Sequence, residues 1–438
     1  MRILLMAGNY APEKTASAPI TTDLCRHLAE AGHSVSVVTT FPHYPQWKIW
    51  KGYGGHLYSK ENERGVWVRR VRNYIPRRPS SLKRVLYYAS FGALAFFPAC
   101  LAGRPDLILC VTPALELALS ARALQMFWGV PYALWVKDLV PDIAIQTGMI
   151  KNRMAISLAR RLEHFAYSHA ARLIVLSECF AVNLRGKGVP GAKVTVLSDW
   201  VDTEAIRPEI SGAPFRKELG IDPSAFVVLH SGNMGEKQKL ELLIQAAKLL
   251  DEHRSIQFVI AGEGARKDAV VAEARRLGVR NVKFLPLQLH ERFAEMLAAA
   301  DVLLLHQHAG VTDSVAPSKL LTYMASGRPI VATATSDSEA RRVISIAECG
   351  LVVEPEKPTE LTEAILQLFR EPDLRARMGA SARGFACEKF SRQAAMPRLE
   401  SLLYEIAGIA RPATREGNEA GLVREVAMHS NDSPEPLA

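Results

Sequence analysis

Residues 313–331 (DSVAPSKLLTYMASGRPIV) bring hydroxyl groups, a lysine and a helix start into one short stretch. Pro317 suits the first turn of a helix, and the apolar spacing predicts a helix over Ser318–Ala325 that ends before Gly327. A helix start that faces a cleft offers free backbone N–H groups and the positive end of a dipole. The stretch is therefore a candidate diphosphate site, although an ordinary helix of an α/β domain has the same pattern.

Strands and helices alternate along almost the whole chain, beginning with a strand, helix, strand unit over residues 2–39. The alternation continues to residue 197 and resumes at residue 226, with residues 198–209 as a linker. Because every connection runs from strand to helix or from helix to strand, the fold class is α/β with two doubly wound parallel sheets. The predicted division is an N-terminal domain over residues 1–205, a C-terminal domain over residues 206–410 and a disordered tail over residues 411–438.

Doubly wound sheets bind ligands at the carboxyl ends of their strands, so two such sheets predict a site in the cleft between them. Asp138 follows one strand of the first half and His43 follows another, and either side chain could act on a hydroxyl group. Glu13 and Ser17 lie in the loop after the first strand. A structural role is the alternative for Asp138 and for His43, and for Asp138 that role would be a helix cap or a salt bridge with Lys137.

The composition indicates a globular protein whose first half faces an anionic surface. Of 438 residues, 48% are hydrophobic and 23% are charged. Residues 1–200 contain 25 Lys and Arg against 12 Asp and Glu, whereas the remainder contains 29 against 33. No aromatic stacking pattern accompanies the basic residues, which disfavours nucleic acid and favours a membrane surface. The six cysteines are scattered without a CxxC pair, and the N-terminus lacks a signal-peptide pattern, so a cytoplasmic location is expected.

One uncharged run follows a basic cluster in the first half. The run begins at Val85 and ends at Gly103, directly after Lys83 and Arg84. Its length is at the low end for a membrane span, and Pro98 weakens that interpretation. A helix that docks at the bilayer interface, next to the basic cluster, fits better. A buried core helix between two strands is the alternative.

The chain contains a series of short motifs: NYAPE, FPHYPQWK, RRPSSLKR, KDLVPD, SGNMGEKQ, GEG, FLPLQ, PSKLLTYMASGRPIV and GLVVEP. Together they resemble family 4 retaining glycosyltransferases of the two-Rossmann-domain (GT-B) type, in particular polysaccharide-biosynthesis enzymes of the colanic-acid fucosyltransferase kind. The resemblance implies a GT-B fold and transfer of a sugar from a GDP- or UDP-linked donor to a lipid-linked saccharide. It also implies retention of configuration, no metal and no further cofactor, at the inner face of the plasma membrane.

The resemblance also assigns residues to the two substrates. The donor would contact Asn233, Lys237, Gly262, Gly264, Leu285, Pro286, Leu287, Asp313, Ser314, Pro317, Ser318, Lys319 and Thr322. Asp138 and His43 would act on the acceptor, with Glu13 and Ser17 in the loop that meets donor phosphate and acceptor.

The chain departs from the family at two donor positions. The family has two glutamates eight residues apart, and the corresponding positions hold Ser314 and Thr322, with Asp313 one residue from the first. The missing carboxylates leave a non-catalytic GT-B partner subunit open as an alternative function. A nucleotide-sugar epimerase of the same fold, acting without an acceptor, is a second alternative.

Overall fold

The computed structural model describes residues 1–146, 148–236, 238–309 and 318–411. An eight-stranded sheet lies in the first half of the chain, called the first unit here, in the spatial order β3-β4-β2-β1-β5-β6-β7-β8. Its strands are β1 Arg2–Met6, β2 Ser34–Thr40, β3 Tyr58–Glu63, β4 Val66–Val71, β5 Leu107–Val111, β6 Tyr132–Val136, β7 Arg172–Val175 and β8 Val194–Val196. The helices among them are α1 Ala18–Glu30, α2 Ser81–Leu94, α3 Phe96–Cys100, α4 Leu117–Trp128, α5 Asp142–Gln146, α6 Arg153–His169 and α7 Glu178–Gly186.

A six-stranded sheet forms the second unit, in the order β11-β10-β9-β12-β13-β14. Its strands are β9 Phe226–Ser231, β10 Ile256–Ala261, β11 Val282–Leu285, β12 Val302–His306, β13 Ile330–Thr333 and β14 Gly350–Val353. The remaining helices are α8 Ala213–Glu218, α9 Glu241–Leu249, α10 Lys267–Leu277, α11 His290–Ala298, α12 Ser318–Ala325, α13 Glu339–Ala347, α14 Pro358–Arg370, α15 Pro372–Phe385 and α16 Arg392–Ala407. The predicted α/β class with two doubly wound sheets is confirmed, and α12 has the predicted bounds.

The prediction of a wholly parallel first sheet is wrong at one edge, where β3 pairs with β4 in the antiparallel direction. Only Arg64 and Gly65 separate the two strands, and their φ angles are +51° and +84°. Two central residues with positive φ match the tight hairpin turns whose twist suits antiparallel strands. The charged sequence KENE within β3 covers the sheet edge with solvated side chains, which discourages further strand pairing.

The segment from Val85 to Gly103 contains two helices, α2 and α3, that meet at Ala95. Phe91 and Ala95 are fully buried under the first sheet, whereas Leu86 and Phe97 are exposed. The segment is therefore partly a core element and partly a surface element. None of the helices in the described part of the chain has the length and apolar character that spanning a bilayer requires.

The last helix, α16, returns to the first unit, although the sequence had assigned residues 206–410 to the second. Leu399 and Leu403 of α16 are fully buried in the core that β1, β2 and α1 form. Arg392 at the start of α16 donates to Asp23 of α1 (3.0 and 3.1 Å), which also accepts from Trp200 Nε1 (2.7 Å). Apolar burial and charged hydrogen bonds hold α16 in place. The alternation of strands and helices along the sequence does not show such long-range contacts.

Leu399→Ala should destabilise the first unit even though Leu399 follows the second unit in the chain. Removing a fully buried leucine typically costs about 2–5 kcal/mol of the free energy of unfolding. All six tryptophans lie within residues 1–200, so tryptophan fluorescence during urea unfolding reports the first unit. Leu249→Ala is the matched control, because Leu249 is 55% exposed on α9. Equal fluorescence midpoints for the two variants would show that α16 does not stabilise this unit.

Candidate active site

A cavity of about 610 Å³ lies between the two units at the carboxyl edge of the first sheet. Its first-unit wall comes from the loops after β1, β2, β5, β6, β7 and β8 together with one side of α2. Its second-unit wall comes from the start of α12, from one side of α13 and from the segment near residue 390. The cavity thus occupies the cleft that the sequence predicts. Of the predicted site residues, it brings together Ser17, His43, Asp138 and Ser318.

Glu13 is buried behind the cavity and holds two loops together. Its Oε1 accepts hydrogen bonds from the backbone N–H groups of His43 and Tyr44, both at 2.7 Å, and its Oε2 accepts from Asn9 Nδ2 at 2.7 Å. Such bonds to an ionised carboxylate are stronger than neutral ones. Glu13 therefore fixes the loop that carries His43 and does not itself line the cavity.

His43 is a buried imidazole whose proton position follows from its partner. Nδ1 lies 2.9 Å from the backbone carbonyl of Phe41, so Nδ1 carries the hydrogen and Nε2 has a lone pair. Burial lowers the pKa of His43, which favours this neutral form. Trp47 and Tyr87 pack against the ring and restrict its rotation. His43 thus lines the cavity as a neutral imidazole, and its Nε2 is able to accept a proton.

Lys137 forms an ion pair with Asp199, and Asp199 is a residue that the sequence analysis missed. The Lys137 ammonium lies 3.3 Å from the centroid of the Trp135 ring, and the neighbouring Trp200 ring stacks on Trp135 at 5.8 Å. Burial lowers the pKa of Lys137, while the charge of Asp199 acts in the opposite direction. Asp138 lines the same part of the cavity, next to this pair. Asp199 follows β8, so the rule that identified Asp138 after β6 would also have found it.

Two contacts cross the cleft beside the cavity and join the start of α7 to the start of α13. Glu339 accepts a hydrogen bond from the backbone N–H of Cys179 (3.4 Å), and the Cys179 thiol donates to the carbonyl of Asp337 (3.4 Å). Glu339 also pairs with Arg342, and both side chains line the cavity. These residues were not predicted, because the sequence at a helix start does not indicate which residue of another unit it contacts.

The glycine loops of the second unit touch each other closely. A Cβ on Gly262 would lie 1.8 Å from the carbonyl oxygen of Gly232, and one on Gly264 would lie 2.4 Å from that of Met234. Gly262 and Gly264 also have φ angles of +158° and +157°. Only glycine allows this approach, which brings the loop after β10 against the loop after β9. Asn233 lies at the same contact, since its Oδ1 would be 2.7 Å from a Cβ on Gly264.

Lys319 in the first turn of α12 lies over the same loop. A Cβ on Gly232 would meet its Nζ at 2.8 Å, so the ammonium rests against the Gly232 backbone. Burial lowers the pKa of Lys319 to about 8, and no carboxylate among the described residues offsets this effect. A bound anion would stabilise the charged form. A buried ammonium with no described carboxylate partner is therefore suited to an anion, although Lys319 itself is not among the residues that line the cavity.

Some polar groups of Thr322 and of the segment after β11 already form hydrogen bonds within the protein. The Thr322 hydroxyl donates to the carbonyl of Lys319 one turn earlier (2.9 Å), which leaves only oxygen lone pairs for a ligand. The carbonyl of Leu285 accepts from Gly262 N (3.0 Å), that of Pro286 accepts from Gln288 Nε2 (2.9 Å), and Leu287 is exposed. The predictions for Lys237, Asp313, Ser314 and Pro317 lie outside the described residues.

Comparison with known proteins gives two family matches that cover most of the chain. Residues 15–200 match the family described as "Glycosyl transferase 4-like domain", and residues 213–385 match "Glycosyl transferases group 1". The chain is 32% identical over 383 residues to a protein of Escherichia coli (strain K12) named as a colanic acid biosynthesis glycosyl transferase, WcaI. That similarity covers 85% of this chain and 93% of the relative. The probable glycosyltransferase WbjE of Pseudomonas aeruginosa is 28% identical over 60% of this chain and 66% of its own length.

Solved structures show the same fold at lower identity. HepE of Anabaena, solved in complex with UDP, superposes with a TM-score of 0.69 at 16% identity and covers 92% of this chain and 100% of its own. Sucrose-phosphate synthase from Thermosynechococcus elongatus also has a TM-score of 0.69, at 18% identity, covering 92% of this chain and 98% of its own. The predicted GT-B fold is therefore confirmed.

Gly262→Ala should disrupt the contact between the two glycine loops. The added Cβ has no room at the Gly232 carbonyl and the backbone angle disfavours it, so a loss of roughly 2–4 kcal/mol in the free energy of unfolding is expected. Far-ultraviolet circular dichroism during urea unfolding measures it. Gly384→Ala on α15 is the control, because its Cβ would meet nothing within 4 Å. A Gly262→Ala midpoint equal to that of the control would refute the steric argument.

Proposed function

The chain belongs to the GT-B glycosyltransferases of the family 4 type, and from this we propose that it transfers a sugar from a nucleotide-sugar donor to a lipid-linked saccharide. The donor carries UDP or GDP, and the product belongs to a cell-surface polysaccharide. The similarity to a colanic acid biosynthesis glycosyl transferase supports the pathway class. The UDP that HepE binds in the same fold supports a nucleotide donor. The family resemblance supports retention of configuration and independence of metal.

The observation that carries the proposal is the different chemistry of the two cavity walls. The second-unit wall contains Ser318 in the first turn of α12, and backbone N–H groups at a helix start favour a diphosphate. Lys319 adds a buried ammonium within the same turn. The first-unit wall contains the neutral imidazole of His43 and the carboxylate of Asp138, which suit a hydroxyl acceptor. A sugar held between the walls would meet its leaving group on one side and its acceptor on the other.

Each group then has one task in the transfer. The bond between the sugar and the diphosphate breaks, and the electron pair stays on the diphosphate, where Lys319 and the start of α12 stabilise the added charge. The acceptor hydroxyl forms the new bond to the sugar and loses its proton. Asp138 orients that hydroxyl, and the proton goes to His43 Nε2 or to the diphosphate oxygen that is released. Closure of the units by Cys179 and Glu339 limits the access of water to the donor.

We place the reaction at the inner face of the plasma membrane, where a lipid-linked acceptor is available. The excess of basic residues within residues 1–200 supports this placement, because anionic lipids attract such a surface. The exposed apolar side chains of α2 and α3 support it as well.

A transfer assay separates this function from the two alternatives. Purified protein is supplied with UDP- and GDP-sugars, with and without extracted lipid-linked acceptors. The proposal expects release of nucleoside diphosphate from one donor only when an acceptor is present. Donor conversion without acceptor would identify an epimerase, and absence of nucleotide binding by calorimetry would identify a non-catalytic subunit. Either result would overturn the proposal.

Asp138→Asn should lower kcat in that assay by roughly 100-fold or more, because the amide cannot orient and polarise the acceptor hydroxyl as a carboxylate does. The KM for the donor should stay within about twofold, since Asp138 belongs to the first-unit wall. Initial rates over a range of donor concentrations at saturating acceptor give both values. Asp222→Asn is a matched control at a fully exposed site of the second unit. An unchanged kcat for Asp138→Asn would remove this residue from the mechanism.

Donor affinity should fall as the pH rises through about 8, the pKa of Lys319 in the free protein. Below this pH the ammonium is charged and attracts the diphosphate; above it, binding must first restore the proton, which costs about tenfold in affinity per pH unit. Calorimetry with UDP and GDP at pH 7 and pH 9 measures the change. Lys319→Arg should abolish the dependence, whereas Lys217→Arg on α8 should preserve it. A pH-independent affinity of the wild-type protein would contradict the assignment.

A further inference from the structure

Four helices of the first unit form one layer, and their outer side carries apolar and basic residues together. α4 lies in the middle of the layer and contacts α2, α3 and α6, while all four cover the same side of the sheet. Exposed apolar side chains recur on every one of them: Leu82, Val85, Leu86, Leu94, Phe96, Phe97, Leu119, Met126, Phe127, Met154 and Leu158. The outer side of this four-helix layer is called the docking face below. It is much larger than the run from Val85 to Gly103 that the sequence singled out.

The charge of the docking face has one sign. α2 carries Lys83, and the first half of α6 carries Arg153, Arg160 and Arg161, all exposed. Within these four described helices Glu163 is the one acidic residue, and it is buried and paired with Lys187. A surface for a soluble partner would normally contain both signs of charge, as most protein interfaces do. Exposed apolar side chains among basic residues, without acidic ones, match the surface of an anionic bilayer.

The position of the helix starts orients this face relative to the cavity. Helices that connect parallel strands begin at the carboxyl edge of the sheet, which is the edge where the cavity lies. The exposed Leu82 and Leu86 of α2, and Met154 and Leu158 of α6, all lie in the first two turns of their helices. The part of the docking face nearest the cavity therefore has both an apolar row and a basic cluster.

α2 contributes to both the cavity wall and the docking face. Arg84 and Tyr88 lie on one side of the helix and line the cavity, and Leu82 and Leu86 lie on the opposite side and are exposed. The two sides are separated by one helix diameter, about 10 Å. A saccharide attached to a lipid could thus reach the cavity while its lipid stays in the bilayer.

We propose that the outer side of α2, α3, α4 and α6 docks onto an anionic lipid bilayer, with the starts of α2 and α6 holding the cavity mouth at its surface. This deepens the proposed function and rests on it for the nature of the acceptor. The bilayer contact itself involves neither donor nor acceptor. It can therefore be tested separately from transfer.

Co-sedimentation of the full chain with lipid vesicles tests the docking face. We expect binding to vesicles that contain phosphatidylglycerol and much weaker binding to pure phosphatidylcholine. Leu86→Glu with Leu158→Glu should weaken binding at least tenfold, since each replaces an apolar contact by a charge that anionic lipid repels. Arg153→Ser with Arg160→Ser and Arg161→Ser should weaken binding by roughly 100-fold, at about fivefold for each basic residue.

Two controls keep the test specific. Leu249→Glu on α9 and Lys217→Ser on α8 change similarly exposed residues of the second unit and should bind vesicles as the wild-type protein does. UDP and GDP calorimetry on every variant should match the wild type, which shows that the fold and donor site are intact. Normal nucleotide binding with unchanged vesicle binding in both docking variants would overturn the docking face alone. A wild-type dimer in light scattering that the Leu86→Glu, Leu158→Glu variant loses would overturn it too, by assigning this face to a second copy.

Discussion

Parallel strands impose one constraint on which the rest of this structure depends: every strand of a sheet ends at the same edge. The loops that follow β1, β2, β5, β6, β7 and β8 therefore lie at a single place, and they form the first-unit wall of the cavity. The same constraint places the starts of the connecting helices at that edge. The common direction of the strands thus places both the cavity and the nearest end of the docking face at the same edge of the sheet. The antiparallel β3 lies at the far edge of the sheet, where it does not disturb this arrangement.

Each unit has a buried lysine, and the two lysines differ in whether a carboxylate of the protein compensates their charge. Lys137 in the first unit has Asp199 and the face of Trp135 as partners, so its charge is compensated within the protein. Lys319 in the second unit is buried against a glycine backbone, and no described carboxylate compensates it. An uncompensated buried charge costs free energy that a ligand of opposite sign recovers. This contrast supports the proposal that the second unit binds the anionic donor and the first unit the hydroxyl acceptor.

Local patterns in the sequence were sufficient for the alternation of strands and helices in both units, for α12, and for the positions of His43 and Asp138 at strand ends. These features depend on apolar periodicity and on which residue follows a strand, and both are visible in sequence. The β3–β4 hairpin was missed because ENERG is not one of the common two-residue turn sequences. Glu339 and the return of α16 were missed because each depends on a partner far away in the chain, whereas Asp199 follows a strand end and the rule that identified Asp138 would have found it. Glu13 was predicted as a site residue, but its carboxylate instead fixes the neighbouring loop that carries His43.

The return of α16 also limits how the two units can move. The chain passes between the units twice, once through the linker near Val201 and once near Ser391, and the two passages lie side by side. The N–H of Val201 donates to the carbonyl of Phe390 at 2.8 Å, so the passages are bonded to each other. A relative rotation of the units must bend both passages at this point. The Cys179–Glu339 contact, at the start of α7, also joins the units beside the cavity and must break when they separate. A ligand that bridges both walls would keep that contact closed, so binding of donor and acceptor would stabilise the form in which water is excluded.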